Sequence, residues 1–112
     1  MHVPVLGTIH KNMKFIVTAP LRRFSVKHPD GLTAINAWET KTKAAKWQVP
    51  ADIKAEFSSA SFVASNRVVF DIAGNKYRLI VAIAYRIGVV YIKFIGTHSE
   101  YDAIDAATVE ME

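Results

Sequence analysis

The chain has 112 residues, a formal net charge of +4 and no cysteine, and 51% of its residues are hydrophobic. This composition predicts one folded domain and excludes disorder of the whole chain. The lack of cysteine excludes disulfides and thiolate metal sites. No apolar run approaches the roughly 20 residues that span a bilayer, and residues 1–12 do not resemble a signal peptide. We therefore expect a soluble cytoplasmic protein without membrane contact.

The net positive charge lies in residues 1–97, whereas the last 15 residues are acidic. Residues 98–112 contain five acidic side chains and no Lys or Arg, which leaves fourteen bases and five acids elsewhere, a net charge of +9. A basic body of this kind favours a polyanionic partner, nucleic acid first. A merely solvated basic surface is an equally good explanation of the charge alone.

The first half of the chain is predicted to contain one strand and two helices. Residues 13–18 are typical of a short strand. Pro20 fits the first turn of a helix because its missing N–H would have no partner there. Residues 31–46 form a second predicted helix, capped by Asp30, because their apolar side chains follow helical spacing. A further short turn is predicted over residues 50–57.

The second half changes to the period of two that is typical of strands. It predicts three strands, over residues 67–72, 76–85 and 89–97, joined by tight loops that imply antiparallel pairing. The predicted fold is α+β. An antiparallel sheet, made of the N-terminal strand and the three-stranded meander, has the two N-terminal helices packed on one face, and a short C-terminal helix follows.

Alternation along the meander assigns side chains to the two faces of the sheet. We expect the apolar set to pack on the helices: Val68, Phe70, Ile72, Tyr77, Leu79, Val81, Ile83, Tyr85, Val90, Ile92 and Phe94. The opposite, uncovered face then carries four bases, one acid and one aromatic side chain: Arg67, Lys76, Arg78, Lys93, Asp71 and Tyr91. Polar side chains are ordinary on a solvated face, but four bases with one acid favour a binding surface.

The sequence after the last strand predicts a helix that begins at His98. Thr97 and Glu100 have the spacing of a capping box. The free N–H groups and dipole at the start of a helix suit a phosphate and favour an uncharged imidazole, which can accept a proton. His98 and Tyr101 would share one face of this turn. In the alternative interpretation, His98 only fills a first-turn position and Tyr101 packs on the sheet.

Other chemistries have no support in the sequence. The four histidines are scattered rather than spaced as metal ligands. The glycine-rich loops of nucleotide-binding proteins and the Gly-x-Ser-x-Gly motif of hydrolases are missing. We therefore expect neither a metal nor another cofactor.

Two stretches, NRVVFDIAGNKYRL at residues 66–79 and VYIKFIGTHSEYD at residues 90–102, strongly resemble the HigB toxin family. HigB toxins belong to type II toxin–antitoxin pairs within the RelE-like superfamily. Shorter upstream motifs are similar too: LRRF at 21–24, KHPD at 27–30, Trp38, Trp47 and PADIK at 50–54. The likeness divides the chain into a leader (residues 1–12), a RelE-like toxin domain (13–105) and an acidic tail (106–112).

The resemblance implies an mRNA endonuclease (an mRNA interferase) that cleaves transcripts on the ribosome and thereby inhibits translation. It implies mRNA and ribosomal RNA as binding partners, and a HigA-like helix-turn-helix antitoxin as the neutralising partner. Two alternatives stay open. Related toxins act by protein binding and poison DNA gyrase, and an inactive member would only bind its antitoxin.

Site residues follow from combining this resemblance with the basic face. RNA supplies its own nucleophile, the ribose 2′-OH, so cleavage requires no metal. We expect Arg78 and Lys93 to contact the reacting phosphate and His98 to act as general acid or base. Tyr101 would assist proton transfer or stack on a base. The remaining RNA contacts are expected from Arg67, Lys76 and Tyr91.

Overall fold

A computed structural model describes residues 12–15 and 18–111 of the chain. Most of the predicted leader, residues 1–11, lies outside the described residues, as do residues 16 and 17 of the predicted first strand. The helices are α1 (Ala19–Lys27), α2 (Leu32–Ala44), α3 (Pro50–Glu56) and α4 (His98–Asp102). The strands are β1 (Lys14–Phe15), β2 (Ser61–Val63), β3 (Arg67–Ile72), β4 (Tyr77–Ala84) and β5 (Val89–Thr97).

The helices begin and end close to the predicted positions. Pro20 lies in the first turn of α1, where it is buried with Leu21 and Phe24. A 3₁₀ turn over Pro29–Gly31 precedes α2, and no side chain caps that helix. The prediction that Asp30 caps α2 is therefore wrong, because its carboxylate accepts hydrogen bonds from Lys76 and Tyr77 instead.

Residues 50–56 form a helix rather than an isolated turn. The Asp52 carboxylate accepts hydrogen bonds from the backbone N–H groups of Gln48 and Val49, at 2.9 and 3.3 Å, and so satisfies donors at the start of α3. Ile53 is its buried side chain. Within the described residues, none of these helices is long and apolar enough to cross a membrane.

The sheet has five strands in the order β1-β5-β4-β3-β2. β3, β4 and β5 form the predicted antiparallel meander, and β2 pairs antiparallel with β3. The α+β class is confirmed, but the sheet is mixed, because β1 runs parallel to β5. Local alternation identifies a strand without fixing the direction of its partner, so the sequence did not predict this parallel edge.

The main hydrophobic core lies between the helices and one face of the sheet. Phe70 of β3 is at its centre, with ring centroids 5.4 Å from Trp38, 5.1 Å from Phe57 and 6.2 Å from Trp47. Aromatic rings at these distances add favourable contacts to the area they bury. The sheet is thereby fixed against α2 and the segment around α3.

A β-bulge in β5 changes the predicted division between the faces. Ile80 is opposite Phe94, but the next residue of β4, Val81, is opposite Ile92, so Lys93 is the extra residue. Phe94 consequently lies on the outer face and packs with Val69 and Ile80. The prediction that Phe94 faces the helices is wrong, because uniform alternation does not hold across a bulge.

The outer face of the sheet is covered rather than open. After α4, residues 103–111, here called the C-terminal segment, return across this face. Val69, Ile80 and Phe94 form a small second core, against which the following side chains pack: Val63, Tyr101, Ile104, Ala106 and Val109. The prediction of an uncovered basic face is therefore wrong. The segment returns because three apolar outer-face side chains would otherwise be exposed to water.

Candidate functional site

The outer-face side chains of the meander form three rows across β3, β4 and β5. In order, the rows are Asp71, Arg78 and Gly96; Val69, Ile80 and Phe94; and Arg67, Ala82 and Tyr91. Successive rows lie about 7 Å apart along the strands. The apolar middle row thus separates two charged clusters. The sequence predicted that the bases converge, but the structure divides them between the two ends of the face.

Arg78 is held at one end of the face by two neighbouring side chains. Its Nη1 lies 3.3 Å from the Asp71 carboxylate on the adjacent strand, and its guanidinium carbon lies 5.7 Å from the centre of the Tyr101 ring. A guanidinium near an aromatic ring gains cation–π stabilisation. The structure therefore brings together two of the predicted catalytic residues, with Arg78 only 12% exposed.

Helix α4 begins at His98, as the sequence predicted, and its capping box is formed. The Glu100 N–H donates to Thr97 Oγ1 at 3.2 Å, and the Thr97 N–H donates to Glu100 Oε1 at 2.8 Å. Gly96 permits this sharp passage from strand to helix, because a Cβ there would lie 2.6 Å from the Phe94 ring. The local sequence thus places His98 and Tyr101 just beyond the end of β5.

His98 has a carboxylate partner that the sequence analysis did not single out. His98 Nδ1 lies 3.3 Å from Asp102 Oδ2, and the two residues have the i, i+4 spacing of neighbours on a helix. Half of the His98 side chain is exposed. That spacing was readable from the sequence. The pair orients one ring nitrogen toward the helix and leaves Nε2 on the opposite edge of the ring.

Arg67, at the other end of the face, is enclosed by the C-terminal segment and only 6% exposed. Its Nη1 donates to the carbonyl oxygens of Ala106 and Val109, at 3.3 and 2.5 Å. Its Nη2 lies 2.8 Å from Glu110 Oε2. Arg67, which we expected to be open to RNA, is thus already bound by the chain itself.

Glu110 also binds Lys93, so that one carboxylate bridges two of the predicted site residues. Lys93 Nζ lies 2.9 Å from Glu110 Oε1. The hydrogen bond from Lys93, with added attraction from Arg67, holds the pKa of Glu110 below its ordinary value. The carboxylate is ionised at neutral pH, as any ordinary Glu is, and the two cations extend that range toward acid. Sequence analysis missed this bridge because it predicted the acidic tail to be separate from the domain.

The two remaining predicted RNA contacts lie in different places. Tyr91 is partly buried on the outer face, with its ring centre 5.8 Å from Lys93 Nζ. Lys76 does not extend the outer face. It lies in the turn before β4 and pairs with Asp30, whose carboxylate also accepts a hydrogen bond from the Tyr77 hydroxyl. The sequence analysis begins this strand at residue 76, whereas β4 begins at Tyr77. Strand alternation therefore does not apply to Lys76, and its assignment to the outer face is wrong.

The fold and site together define a class of protein. An α+β domain, with helices on one face of the sheet and a last strand that leads directly into a short helix, is compatible with the RelE-like fold. Residues 32–104 match the family model HigB_toxin, described as the RelE-like toxic component of a toxin–antitoxin system. This match covers more than half of the chain, and the protein therefore belongs to the HigB toxin family. No curated protein matches the sequence.

Proposed function

We propose that the protein is a ribosome-dependent mRNA endonuclease of the cytoplasm, which inhibits translation as the toxin of a type II toxin–antitoxin pair. Membership in a family of toxic components supports the toxin role and implies an antitoxin partner. The observation that carries the nuclease is the position of Arg78 against the Tyr101 ring, beside the helix that bears His98.

The proposed reaction uses the ribose 2′-OH of the mRNA as nucleophile. Its oxygen forms a bond to the adjacent phosphorus while the bond from phosphorus to the 5′ oxygen breaks. One proton leaves the 2′-OH, and another is delivered to the departing 5′ oxygen. The products are a 2′,3′-cyclic phosphate and a 5′-OH end. The protein has to align these atoms, transfer the protons and stabilise the negative charge of the transition state.

Arg78 is suited to the phosphate because part of its guanidinium is free for another contact. All hydrogen bonds and ion pairs that it makes within residues 12–15 and 18–111 involve Nη1. Its other N–H groups are then available to phosphate oxygens, in the fork geometry that guanidinium groups provide. Asp71 and Tyr101 fix the orientation of the side chain, which reduces the entropy lost when phosphate binds.

His98 is the proposed general acid or general base. Tyr101 is proposed to support Arg78 and either to stack on a nucleobase of the RNA or to assist proton transfer. With Nδ1 facing Asp102, Nε2 of His98 is the nitrogen available for transfer. Lys93 would add positive charge, together with Tyr91 on the same strand. Arg67 and Lys76 are bound to Glu110 and Asp30, so each would contact RNA by exchanging a carboxylate for a phosphate.

The proposed partners are mRNA and ribosomal RNA on the ribosome, and a HigA-like helix-turn-helix antitoxin. If the basic side chains bind RNA phosphates, binding must weaken as salt rises. The slope is about −0.7 in log K against log salt for each phosphate neutralised on a single strand. No metal is required in this mechanism, because the RNA contains its own nucleophile.

The test is to map the 5′ ends of cellular transcripts after brief expression. We expect new ends within translated codons for the unaltered protein and none for Arg78→Ala. Arg22→Ala is the matched control, because it removes the same charge from an exposed position on α1. Arg78→Ala must still fold and bind antitoxin. DNA damage without new transcript ends would instead support a gyrase poison, and neither effect would indicate an inactive, antitoxin-binding member.

A further inference from the structure

The C-terminal segment is attached to the outer face by a small set of contacts. Arg67 binds two of its carbonyl groups, and Ile104, Ala106 and Val109 pack on the apolar row without becoming fully buried. Glu110 adds two ion pairs, and Met111, partly buried, packs against the main core. Segments with few buried contacts open at low free-energy cost compared with the core. Residues 105–111 also lie beyond the range that matches the family model.

The Glu110 carboxylate occupies the position that a bound anion would take. One oxygen lies 2.8 Å from Arg67 Nη2, and the other lies 2.9 Å from Lys93 Nζ. The two cations are 6% and 22% exposed, whereas the Glu110 side chain is 64% exposed. A removable carboxylate thus lies at the mouth of a largely buried cationic pair. Two oxygens of a phosphodiester can make the same two charge-assisted hydrogen bonds.

We propose that Arg67 and Lys93 form a second phosphodiester-binding site, separate from Arg78, which Glu110 occupies until RNA replaces it. RNA as the ligand rests on the proposed function. The site lies beyond the apolar row, about 13 Å along the sheet from Arg78, which is the length of four strand residues. Successive phosphates of an extended single strand span this distance in two to three nucleotides. The C-terminal segment therefore competes with the RNA strand for the site formed by Arg67 and Lys93.

Charge on the segment strengthens this competition. Asp105 and Glu110 are both exposed acidic residues of the segment, so the closed position presents negative charge to an approaching phosphate backbone. The Glu110 carboxylate is ionised through the neutral range like any ordinary Glu, and its lowered pKa extends that range toward acid. Removing only the charge of Glu110 should consequently free Arg67 Nη2 and Lys93 Nζ for a phosphate, while Arg67 Nη1 keeps its bonds to the segment that covers the apolar row.

The experiment measures binding of a 2′-O-methyl single-stranded RNA oligonucleotide, which cannot be cleaved, by fluorescence anisotropy at several salt concentrations. Glu110→Gln should bind roughly twofold to fivefold more tightly, as expected when an exposed competing ion pair is lost. The slope of log K against log salt should become steeper by about 0.7, or one phosphate. Glu39→Gln, which removes a carboxylate paired with Lys43 on α2, is the charge-matched control.

Lys93→Gln, introduced into Glu110→Gln, should remove the gain in affinity and the added slope. Glu110→Asp, whose shorter side chain cannot bridge both cations, should give an intermediate affinity and serves if Glu110→Gln fails to fold. Equal affinities and slopes for the Glu110 and Glu39 variants would overturn the inference, as would a gain that Lys93→Gln leaves intact or a failure of all variants to bind. If the unaltered protein cleaves no transcripts but Glu110→Gln still binds RNA more tightly, only the proposed nuclease function would be overturned.

Discussion

The Arg78 guanidinium lies 5.7 Å from the centre of the Tyr101 ring, and the same ring packs on the apolar row formed by Val69, Ile80 and Phe94. Tyr101 thus joins the proposed phosphate contact to the second hydrophobic core. A side chain in this position affects both stability and the orientation of Arg78, and the two effects can be separated by substitution.

Replacing Tyr101 by Phe should preserve most of the cleavage rate, whereas Ala should lower it about tenfold or more, as expected for losing a cation–π contact worth up to about 2 kcal/mol. Within residues 12–15 and 18–111, the ring rather than the hydroxyl makes the side-chain contacts of Tyr101. Single-turnover cleavage of mRNA on ribosomes is the measurement. A Phe variant as slow as the Ala variant would instead assign proton transfer to the hydroxyl.

Replacing His98 by Gln should slow cleavage by about 10²–10⁴-fold, because a general acid or base usually contributes a factor of that size to the rate. Ribosome binding should be retained. His28→Gln is the matched control. His28 stacks on Phe24, at a centroid distance of 4.5 Å, on the helix side of the sheet. The same single-turnover assay applies. An unchanged rate for His98→Gln would remove this residue from the mechanism.

Replacing Arg67 by Gln should lower the free energy of unfolding by about 1–3 kcal/mol, because the partly buried carbonyl groups of Ala106 and Val109 lose their charged donor. Backbone amides of the C-terminal segment should also exchange with solvent faster. Urea denaturation and hydrogen exchange measure the two effects. Arg86→Gln, at an exposed position in the β4–β5 loop, should change neither. Equal effects of the two substitutions would show that Arg67 does not anchor the segment.

Asp30 should contribute to the acid sensitivity of folding. Hydrogen bonds from Lys76 and then Tyr77 hold its pKa below the ordinary value of 3.8. The unfolded state therefore binds the proton more readily than the folded state does. The stabilisation of the fold by the ionised Asp30 carboxylate is accordingly present above pH 3.8 and is lost as the pH falls through the folded-state pKa.

The free energy of unfolding, measured by urea denaturation between about pH 6 and pH 2, should consequently fall less steeply for Asp30→Asn than for the unaltered protein. Lys76→Gln should reduce the same pH dependence in part, because it removes the largest cause of the shift while leaving the Tyr77 hydrogen bond. Identical pH profiles for all three proteins would contradict this role of Asp30.

The parts of the fold that depend on local sequence were predictable. Alternation gave the meander, and the Thr97–Glu100 spacing gave the start of α4 and placed His98 and Tyr101 on it. The two predictions together placed α4 near Arg78, since α4 begins directly after the strand that pairs with β4, but the contact between Arg78 and Tyr101 was not itself predicted.

Features that depend on distant parts of the chain were not predictable in this way. The parallel pairing of β1 and the return of the C-terminal segment join residues far apart in sequence. Glu110 is 43 residues from Arg67, and no local pattern connects the two. The three-residue strand β2 is too short to show a period, and its residues are partly exposed.

The bulge in β5 has a consequence for substitutions that change chain length. Because Lys93 is supernumerary, neighbouring positions supply a charge and an apolar anchor on the same side of the sheet. Deleting Lys93 would regularise the strand and leave Phe94, Gly96 and the capping box on their present faces, because the remaining residues then alternate without interruption. The ammonium group that binds Glu110 would be lost. Loss of this one codon should thus loosen the end of the chain while the meander and the start of α4 keep their form.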